Sequence, residues 1–268
     1  MPVAGRSWWG ELLWLPWSII AWTISFFWMI CLTLIILPIM LFVRFERFQL
    51  PPQLCVSLPI WLTCSRLKVH VDPGYDRSRV SMFMQNHVSM MDACIACGSI
   101  RVPFCGLENA SHLRVPGYGW LMRCANAIPV DRSKKGFFAE IEAAMRERAS
   151  RGISILVFPE AHRTMDGKLR PFKRGVFQMA RDAGIPIVPI AVRGAYRMLP
   201  KGTISVRPST IEVYIAPQIE TEGLRDDDLP ALMERVREVL EGWVERGEKL
   251  GHLCQRPLQG EPSVNKAS

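Results

Sequence analysis

A histidine and an aspartate five positions apart are the first residues in this sequence that could do chemistry together. They are His87 and Asp92, in a polar segment that follows a short apolar run. Within a single helix the two side chains would point about 140° apart and could hardly meet. They converge if His87 lies in a loop after a strand and Asp92 lies in the first turn of the next helix, with Ser89 as its cap.

A carboxylate that holds one imidazole nitrogen leaves the other nitrogen basic and able to accept a substrate proton. The spacing therefore allows a general base at His87, oriented by Asp92. A purely structural histidine–aspartate pair would have the same spacing, so the rest of the chain has to decide between the two interpretations.

Three further clusters follow later apolar runs, in the segments 128–132, 157–163 and 187–192. Guanidinium groups bind phosphate through two parallel hydrogen bonds, so Arg132 and Arg163 are predicted to form a phosphate clamp. A carboxylate at Glu160 would hold those arginines or accept a substrate hydroxyl. More basic residues follow in the same loop, namely Lys168, Arg170, Lys173 and Arg174.

Short apolar runs alternate with helical segments from residue 68 onward, which predicts an α/β fold with a mostly parallel sheet and helices on both faces. Ligands of such sheets bind beyond the carboxyl ends of the strands, where the clusters fall. The expected strands are Leu67–Val71, Val80–Met84, Val102–Leu107, Ala127–Val130, Ile153–Phe158, Ile187–Val192 and Ile211–Ile215. The expected helices between them are Met90–Gly98, Ser111–Arg123, Gly136–Arg151 and Gly175–Ala183.

The N-terminal part of the chain has a different character. Leu12–Val43 contains no charged residue and is long enough to cross a bilayer. Pro16 and Pro38 would bound one helix between them or kink a re-entrant hairpin. We therefore predict a membrane anchor over residues 1–50. An interfacial or packing helix over 51–67, the main domain over 68–250 and a polar tail over 251–268 complete the expected organisation.

Composition limits the class of protein. With 268 residues, 49% hydrophobic content and a net charge of +8, the chain is a folded protein and not a disordered one. Residues 101–200 hold 17 Lys and Arg against 8 Asp and Glu, so the positive excess is central and favours an anionic partner. Eight scattered cysteines include a lone pair at Cys94 and Cys97, which is not a zinc-site pattern.

Taken together, the four clusters resemble the blocks of the lysophosphatidate (1-acyl-sn-glycerol-3-phosphate) acyltransferase family of glycerophospholipid acyltransferases. The likeness extends from Lys68 to Ile215, and the apolar N-terminal segment is also typical. The resemblance implies that His87 is the general base and Asp92 orients it. It also implies that Arg132, Glu160 and Arg163 bind the acceptor, with His162, Lys173 and Arg174 as further candidates.

The resemblance implies transfer of a fatty acyl chain from an acyl thioester to the free hydroxyl, at sn-2, of lysophosphatidate. It implies acyl-CoA or acyl carrier protein as co-substrate, no metal or organic cofactor, membrane lipids as partners and no nucleic acid. The expected location is the cytoplasmic membrane, with the catalytic domain on its cytoplasmic side.

In one place the sequence departs from the family pattern. The third block usually contains Glu-Gly-Thr-Arg, and this chain has Ala161-His162 in place of Gly-Thr. The substitution leaves open a second acceptor, either a lysophospholipid with a larger headgroup or a lyso-ornithine lipid. A non-catalytic protein that binds anionic lipid through the basic loop is the alternative from another class.

Overall fold

The computed structural model of the protein describes residues 8–40, 42–43, 50–115, 118–131, 133–134 and 136–258. The described residues form a seven-stranded sheet in the order β1-β7-β6-β2-β5-β3-β4. All seven predicted strands are present, and each end lies within two residues of its expected position. The strands are β1 (Arg66–Val71), β2 (Met82–Gln85), β3 (Phe104–Asn109), β4 (Ile128–Val130), β5 (Ser154–Val157), β6 (Ile187–Arg193) and β7 (Thr210–Ile215).

The sheet is mostly parallel. Neighbouring strands from β6 through β2, β5 and β3 to β4 run in the same direction. Strand β7 is antiparallel to β6, and β1 pairs in parallel with β7. The carboxyl ends of β2 to β6 therefore meet at one rim of the sheet, where the loops that follow them can build a site together.

Helices cover both faces of the sheet, as predicted. One face carries α5 (Phe137–Ser150), α6 (Arg174–Ala183) and α8 (Leu229–Glu241), whose apolar side chains join one core cluster. The other face carries α2 (Leu50–Leu62), α3 (Asp92–Ser99) and α7 (Ala195–Met198) in a second cluster. The central strands β2 and β5 are buried along their whole length, which explains their continuous apolar sequences.

Two helices differ from the predictions. The segment expected as one helix over Ser111–Arg123 contains a short 3₁₀ helix at His112–Arg114 and a separate helix α4 (Tyr118–Cys124). Helix α2 ends at Leu62, so the last residues of the helix predicted over 51–67 form a turn and the start of β1.

The N-terminal segment forms one long helix, α1 (Trp8–Met40), which continues through both Pro16 and Pro38. The two alternatives predicted for these prolines, one helix bounded by them or a re-entrant hairpin kinked at them, were both wrong. Among the described residues, α1 is the one helix long and apolar enough to cross a membrane, judged by length and composition.

One side of α1 packs against the rest of the protein and carries several hydrogen-bonded side chains. Glu11 accepts hydrogen bonds from Thr203 and Arg207, and the Val206 N–H donates to Ser18 at 2.8 Å. Trp22 donates to the Ile204 carbonyl. The opposite face exposes apolar side chains at every seventh position, namely Leu13, Ile20, Phe27 and Leu34. Helix α1 is therefore docked against the domain along one side and bare along the other.

The C-terminal part packs more extensively than predicted. Helix α8 ends at Glu241 and continues as a π-helical segment over Gly242–Arg246. Residues 251–258 belong to the first core cluster through Cys254 and Leu258, both buried. The polar tail was therefore predicted to begin too early, and residues 259–268 lie outside the described part of the chain.

Candidate active site

The structure brings His87 and Asp92 together in the way that the sequence suggested. His87 lies in the loop after β2, and Asp92 is the first residue of α3. His87 Nδ1 lies 2.8 Å from Asp92 Oδ2. Asp92 is 1% exposed and the His87 side chain 22% exposed, so the carboxylate is sealed while the imidazole reaches the surface. Because an ionised carboxylate only accepts hydrogen bonds, Nδ1 carries the proton and Nε2 is left as the acceptor.

Asp92 also closes the loop between the strand and the helix. Its Oδ2 accepts backbone N–H bonds from Val88 at 2.8 Å and from Ser89 at 2.9 Å. Burial raises the pKa of the Asp92 carboxyl, and the hydrogen bonds from His87, Ser89 and Val88 act in the opposite direction. One carboxylate oxygen thus fixes both the loop and the imidazole ring.

The predicted cap was wrong in detail. The residue that precedes the first turn of α3 is Met91, and it makes no side-chain cap bond. Ser89 instead donates from its hydroxyl to the Leu199 carbonyl at 2.9 Å and accepts a weak bond from the Met91 N–H. Its hydroxyl is therefore occupied in holding the loop against α7.

Two more residues fix the loop, and sequence reasoning missed both roles. The buried Asn86 side chain donates to the Val192 carbonyl at 2.9 Å and accepts from the Val192 N–H at 2.7 Å, which ties the loop to β6. The Phe158 ring stacks on the His87 ring with centroids 4.1 Å apart. An asparagine and an aromatic residue beside the motifs were visible in the sequence, but their partners lie far along the chain.

Glu160 connects the first and third clusters. Its Oε1 accepts the His87 N–H at 2.8 Å, and its Oε2 accepts the Arg170 N–H at 2.9 Å. The residue is only 2% exposed. Burial raises the pKa of the Glu160 carboxyl, against the two backbone hydrogen bonds that lower it. In this structure Glu160 holds the loop that carries His87 through main-chain contacts, a role that the sequence did not reveal.

The rest of the third cluster is a surface loop. Ala161 has φ of 62°, in the left-handed region that favours glycine. His162 is exposed and Arg163 is half-buried, while the Thr164 N–H donates to the His87 carbonyl. The family's usual glycine at position 161 therefore matches the backbone better than the alanine that is present.

The other predicted acceptor residues are less closely grouped. Lys173 and Arg174 are exposed at the start of α6, and the Arg174 guanidinium donates to the Asp226 carbonyl at 3.2 Å. Arg132 lies outside the described residues. Within the part of the chain that the structure describes, no cluster of His, Cys, Asp and Glu side chains could hold a metal ion.

Comparison with known proteins agrees with this geometry. A family model described as Acyltransferase matches residues 67–193. A 1-acyl-sn-glycerol-3-phosphate acyltransferase of Limnanthes alba is 27% identical over 184 residues, which cover 68% of this chain and 65% of the plant protein. The enzyme of the same name from Pseudomonas aeruginosa is 32% identical over 154 residues, 57% of this chain and 58% of that protein. The aligned part of the chain thus spans less than two thirds of these relatives.

The fold has a solved counterpart. The crystal structure of the 1-acyl-sn-glycerophosphate acyltransferase PlsC from Thermotoga maritima superposes with a TM-score of 0.76 at 21% identity. The match covers 88% of this chain and 96% of that one. The segment that matches the Acyltransferase model contains strands β2 to β6 and the histidine–aspartate pair at their carboxyl rim. Over its matched segments the chain is similar to 1-acyl-sn-glycerol-3-phosphate acyltransferases, and its fold is that of the Thermotoga maritima structure.

Proposed function

We propose that the protein transfers a fatty acyl chain from an acyl thioester to the sn-2 hydroxyl of lysophosphatidate, which gives phosphatidate. The observation that carries the proposal is the 2.8 Å contact between His87 Nδ1 and Asp92 Oδ2, beside a partly exposed imidazole. The names of the relatives support the choice of acceptor.

His87 Nε2 removes the proton of the acceptor hydroxyl while its oxygen attacks the thioester carbonyl carbon. Asp92 stabilises the imidazolium that forms. The tetrahedral intermediate then collapses and the carbon–sulfur bond breaks. The thiolate leaves because a thiol, with pKa of about 8.5, is far more acidic than an alcohol, and it recovers the proton from the imidazolium. The products are the diacyl lipid and the free thiol, and His87 returns to its neutral form.

The proposed reaction has no acyl-enzyme intermediate. Ser89 is buried, and its hydroxyl is bonded to the Leu199 carbonyl. Burial raises the pKa of the Cys94 thiol to about 12 and also raises that of Cys97. Thiols that hold their protons so firmly are poor nucleophiles. Direct attack by the acceptor, with acyl-CoA or acyl carrier protein as the donor and no metal or organic cofactor, is the mechanism that these residues favour.

Acceptor binding is proposed to involve Arg163 and Arg132, with His162, Lys173 and Arg174 nearby. Arg163 lies in the loop that follows the carboxyl end of β5. Strand β5 neighbours β2, the strand that leads to His87. Its forked guanidinium suits a phosphate on the acceptor glycerol. Glu160 is proposed to act mainly through the loop that it holds, since its carboxylate oxygens already accept main-chain bonds.

Membrane attachment through α1 is part of the proposal, with the catalytic domain on the cytoplasmic side. The exposed row of Leu13, Ile20, Phe27 and Leu34 supports contact with lipid, because the exposure of such an apolar row to water is unfavourable. Replacing Ile20 and Phe27 by lysine should reduce the fraction of protein that resists carbonate extraction from membranes. An unchanged fraction would locate the membrane contact elsewhere.

The function is tested with purified full-length protein in detergent, acyl-CoA or acyl carrier protein as donor, and a panel of lysolipids. We expect turnover with lysophosphatidate and a loss of about 100- to 10,000-fold in the folded variant His87→Ala. Undiminished turnover in that variant would refute the general base. The absence of transfer to any lysolipid, with lipid binding retained, would support the non-catalytic alternative.

A second acceptor has one observation in its favour, the Ala161-His162 pair. His162 is exposed between Glu160 and Arg163, where a headgroup would lie. The same lysolipid panel therefore includes lysophospholipids with larger headgroups and a lyso-ornithine lipid. A higher kcat/KM for one of these than for lysophosphatidate would assign the alternative acceptor.

A further inference from the structure

A second hydrogen-bonded carboxylate lies on the same rim of the sheet. Glu108, near the end of β3, accepts a bond from His112 Nδ1 at 2.6 Å on its Oε1 and a bond from the Tyr118 hydroxyl at 2.8 Å on its Oε2. The Asn109 N–H adds a third bond at 3.1 Å. The three side chains come from β3, the 3₁₀ helix and α4, so separate elements converge on one carboxylate. The proposed reaction gives it no role.

The strand register places Glu108 beside the proposed active site. Gly106 and Leu156 form the last pair between β3 and β5, and Glu108 and Phe158 each follow two residues further along their own segment. Adjacent strands lie about 4.8 Å apart, and residues two positions apart point to the same face. Phe104 and Leu156 belong to the core cluster on the α3 face, so Glu108 and Phe158 also project on that face.

The ring of Phe158 in turn stacks on His87. The order along the rim is therefore His87, which follows β2, then Phe158, which follows β5, and then Glu108 near the end of β3. Arg163, the proposed phosphate ligand, belongs to the loop that follows β5, the strand between β2 and β3. A headgroup held near Arg163 would have the basic imidazole on one side and the Glu108 carboxylate on the other.

The cluster is accessible and keeps a place for one more donor. The Glu108 side chain is 21% exposed, and the His112 side chain is 59% exposed. An ionised carboxylate has about four acceptor positions, of which three are in use. Burial, together with the hydrogen bond to Glu108, raises the pKa of the Tyr118 hydroxyl, so the phenol remains a donor at neutral pH.

We propose that Glu108, held through its Oε1 by His112 and the Asn109 N–H, determines headgroup specificity by binding an ammonium group next to the acceptor phosphate. The proposal rests on the proposed function and extends it to zwitterionic lysophospholipids. A carboxylate repels the doubly negative phosphate of lysophosphatidate and attracts an ammonium that is linked to the same phosphate. Arg163 would bind the phosphate common to both acceptors, and Glu108 would distinguish what is attached to it.

The test compares kcat/KM for lysophosphatidylethanolamine and for lysophosphatidate in purified full-length protein. Glu108→Gln keeps the size of the side chain and removes its charge, and it should shift the ratio of the two values about tenfold toward lysophosphatidate. The change should appear in KM for the acceptor and not in KM for the acyl donor. Glu220→Gln is the matched control, because this variant also loses an ion-paired carboxylate. Glu220 pairs with Arg79 and lies near the amino end of β6, at the opposite rim of the sheet.

Tyr118→Phe gives an independent result of opposite sign. It frees an acceptor position on Glu108 and keeps the charge, so the ratio should move toward lysophosphatidylethanolamine. A ratio that stays within twofold of the parent in both variants, or that moves in the same direction in both, overturns the proposal. If Glu108→Gln does not fold, the Tyr118→Phe shift alone decides. Failure of the proposed function is distinct, because it would abolish transfer to both acceptors in the parent protein.

Discussion

The loop that carries His87 and the loop that carries Arg163 lie side by side at one rim and are built very differently. In the first loop, Asn86, Ser89 and Asp92 are buried and bonded to main-chain atoms. In the second, Ala161 has a left-handed backbone and His162 is exposed. Glu160 is the link between them, since its carboxylate belongs to the second loop and holds the N–H of His87.

The difference separates the requirements of chemistry from those of recognition. A general base needs a fixed direction, because a displacement of about 1 Å can cost 100-fold in rate. A loop that recognises headgroups needs accessible polar side chains, and its residues can change without disturbing the base. Substitutions in the first loop should therefore lower kcat, and substitutions in the second loop should alter KM or acceptor preference.

The largest effect is expected for Asp92→Asn. The amide has nearly the same shape but lacks the charge that holds the imidazole and stabilises the imidazolium, so kcat should fall by about 100-fold or more while KM for the acceptor changes little. Steady-state kinetics with thermal unfolding as a check on folding measure this. Asp76→Asn is the control, since Asp76 serves an exposed turn through Ser78. Equal losses in the two variants would mean that Asp92 has no special connection with the base.

Arg163→Lys should produce the next largest effect. Lysine retains the positive charge but cannot form the two parallel bonds of a guanidinium, so KM for lysophosphatidate should rise about tenfold with kcat nearly unchanged. The acyl donor KM should stay constant. Arg146→Lys is the matched control, because Arg146 pairs with Glu142 on α5, which covers the face of the sheet opposite α3. If Arg163→Lys saturates with acceptor as the parent does, the phosphate is bound elsewhere and Lys173 becomes the next residue to test.

Local sequence patterns were sufficient to predict the strands and the convergence of His87 with Asp92. Buried parallel strands are apolar and short, and a polar pair that follows one of them must lie in the loop at the carboxyl end of the strand. The partners of Asn86 and Glu108 could not be predicted in this way. The first contacts Val192, 106 positions away, and the second depends on a helix that the sequence had seemed to make continuous. Such contacts arise from how elements meet, which periodicity does not encode.

The N-terminal helix shows the same limit. Its length and composition predicted an apolar anchor, and the helix is present. Its docked side depends on three polar residues, Glu11, Ser18 and Trp22, which bind a segment nearly 190 positions away. A single serine within an apolar run, such as Ser18, does not reveal that the helix docks, because its partner is the backbone N–H of Val206, which has no sequence signature.

Glu160→Gln tests the link between the two loops and should have a smaller effect, seen in the pH dependence of stability. Burial holds the folded-state pKa of Glu160 above its unfolded value of about 4.3. Ionisation therefore costs stability, and this cost appears as the pH rises from about 4.3 through the folded-state pKa. The free energy of unfolding, measured by urea titration from pH 4 to 8, should decline less with rising pH in Glu160→Gln than in the parent. Parallel curves would show that Glu160 ionises without penalty.

The smallest effect should come from Ala161→Gly, which is expected to raise the free energy of unfolding slightly. Alanine at φ of 62° is strained by roughly 1–2 kcal/mol, and glycine removes that strain but adds unfolded-state entropy that costs about 0.4–1 kcal/mol. The net expectation is a stabilisation of about 0.5–1 kcal/mol in urea unfolding. The control Ala143→Gly lies in the exposed middle of α5 and should destabilise the protein by about 1 kcal/mol.

Adding His162→Thr to Ala161→Gly completes the usual family sequence and should shift the ranking of lysolipid acceptors while the turnover number on the best acceptor is kept. A parallel loss of activity on every acceptor would instead place the pair in the support of the catalytic loop, and the division between fixed chemistry and adaptable recognition would fail at this position.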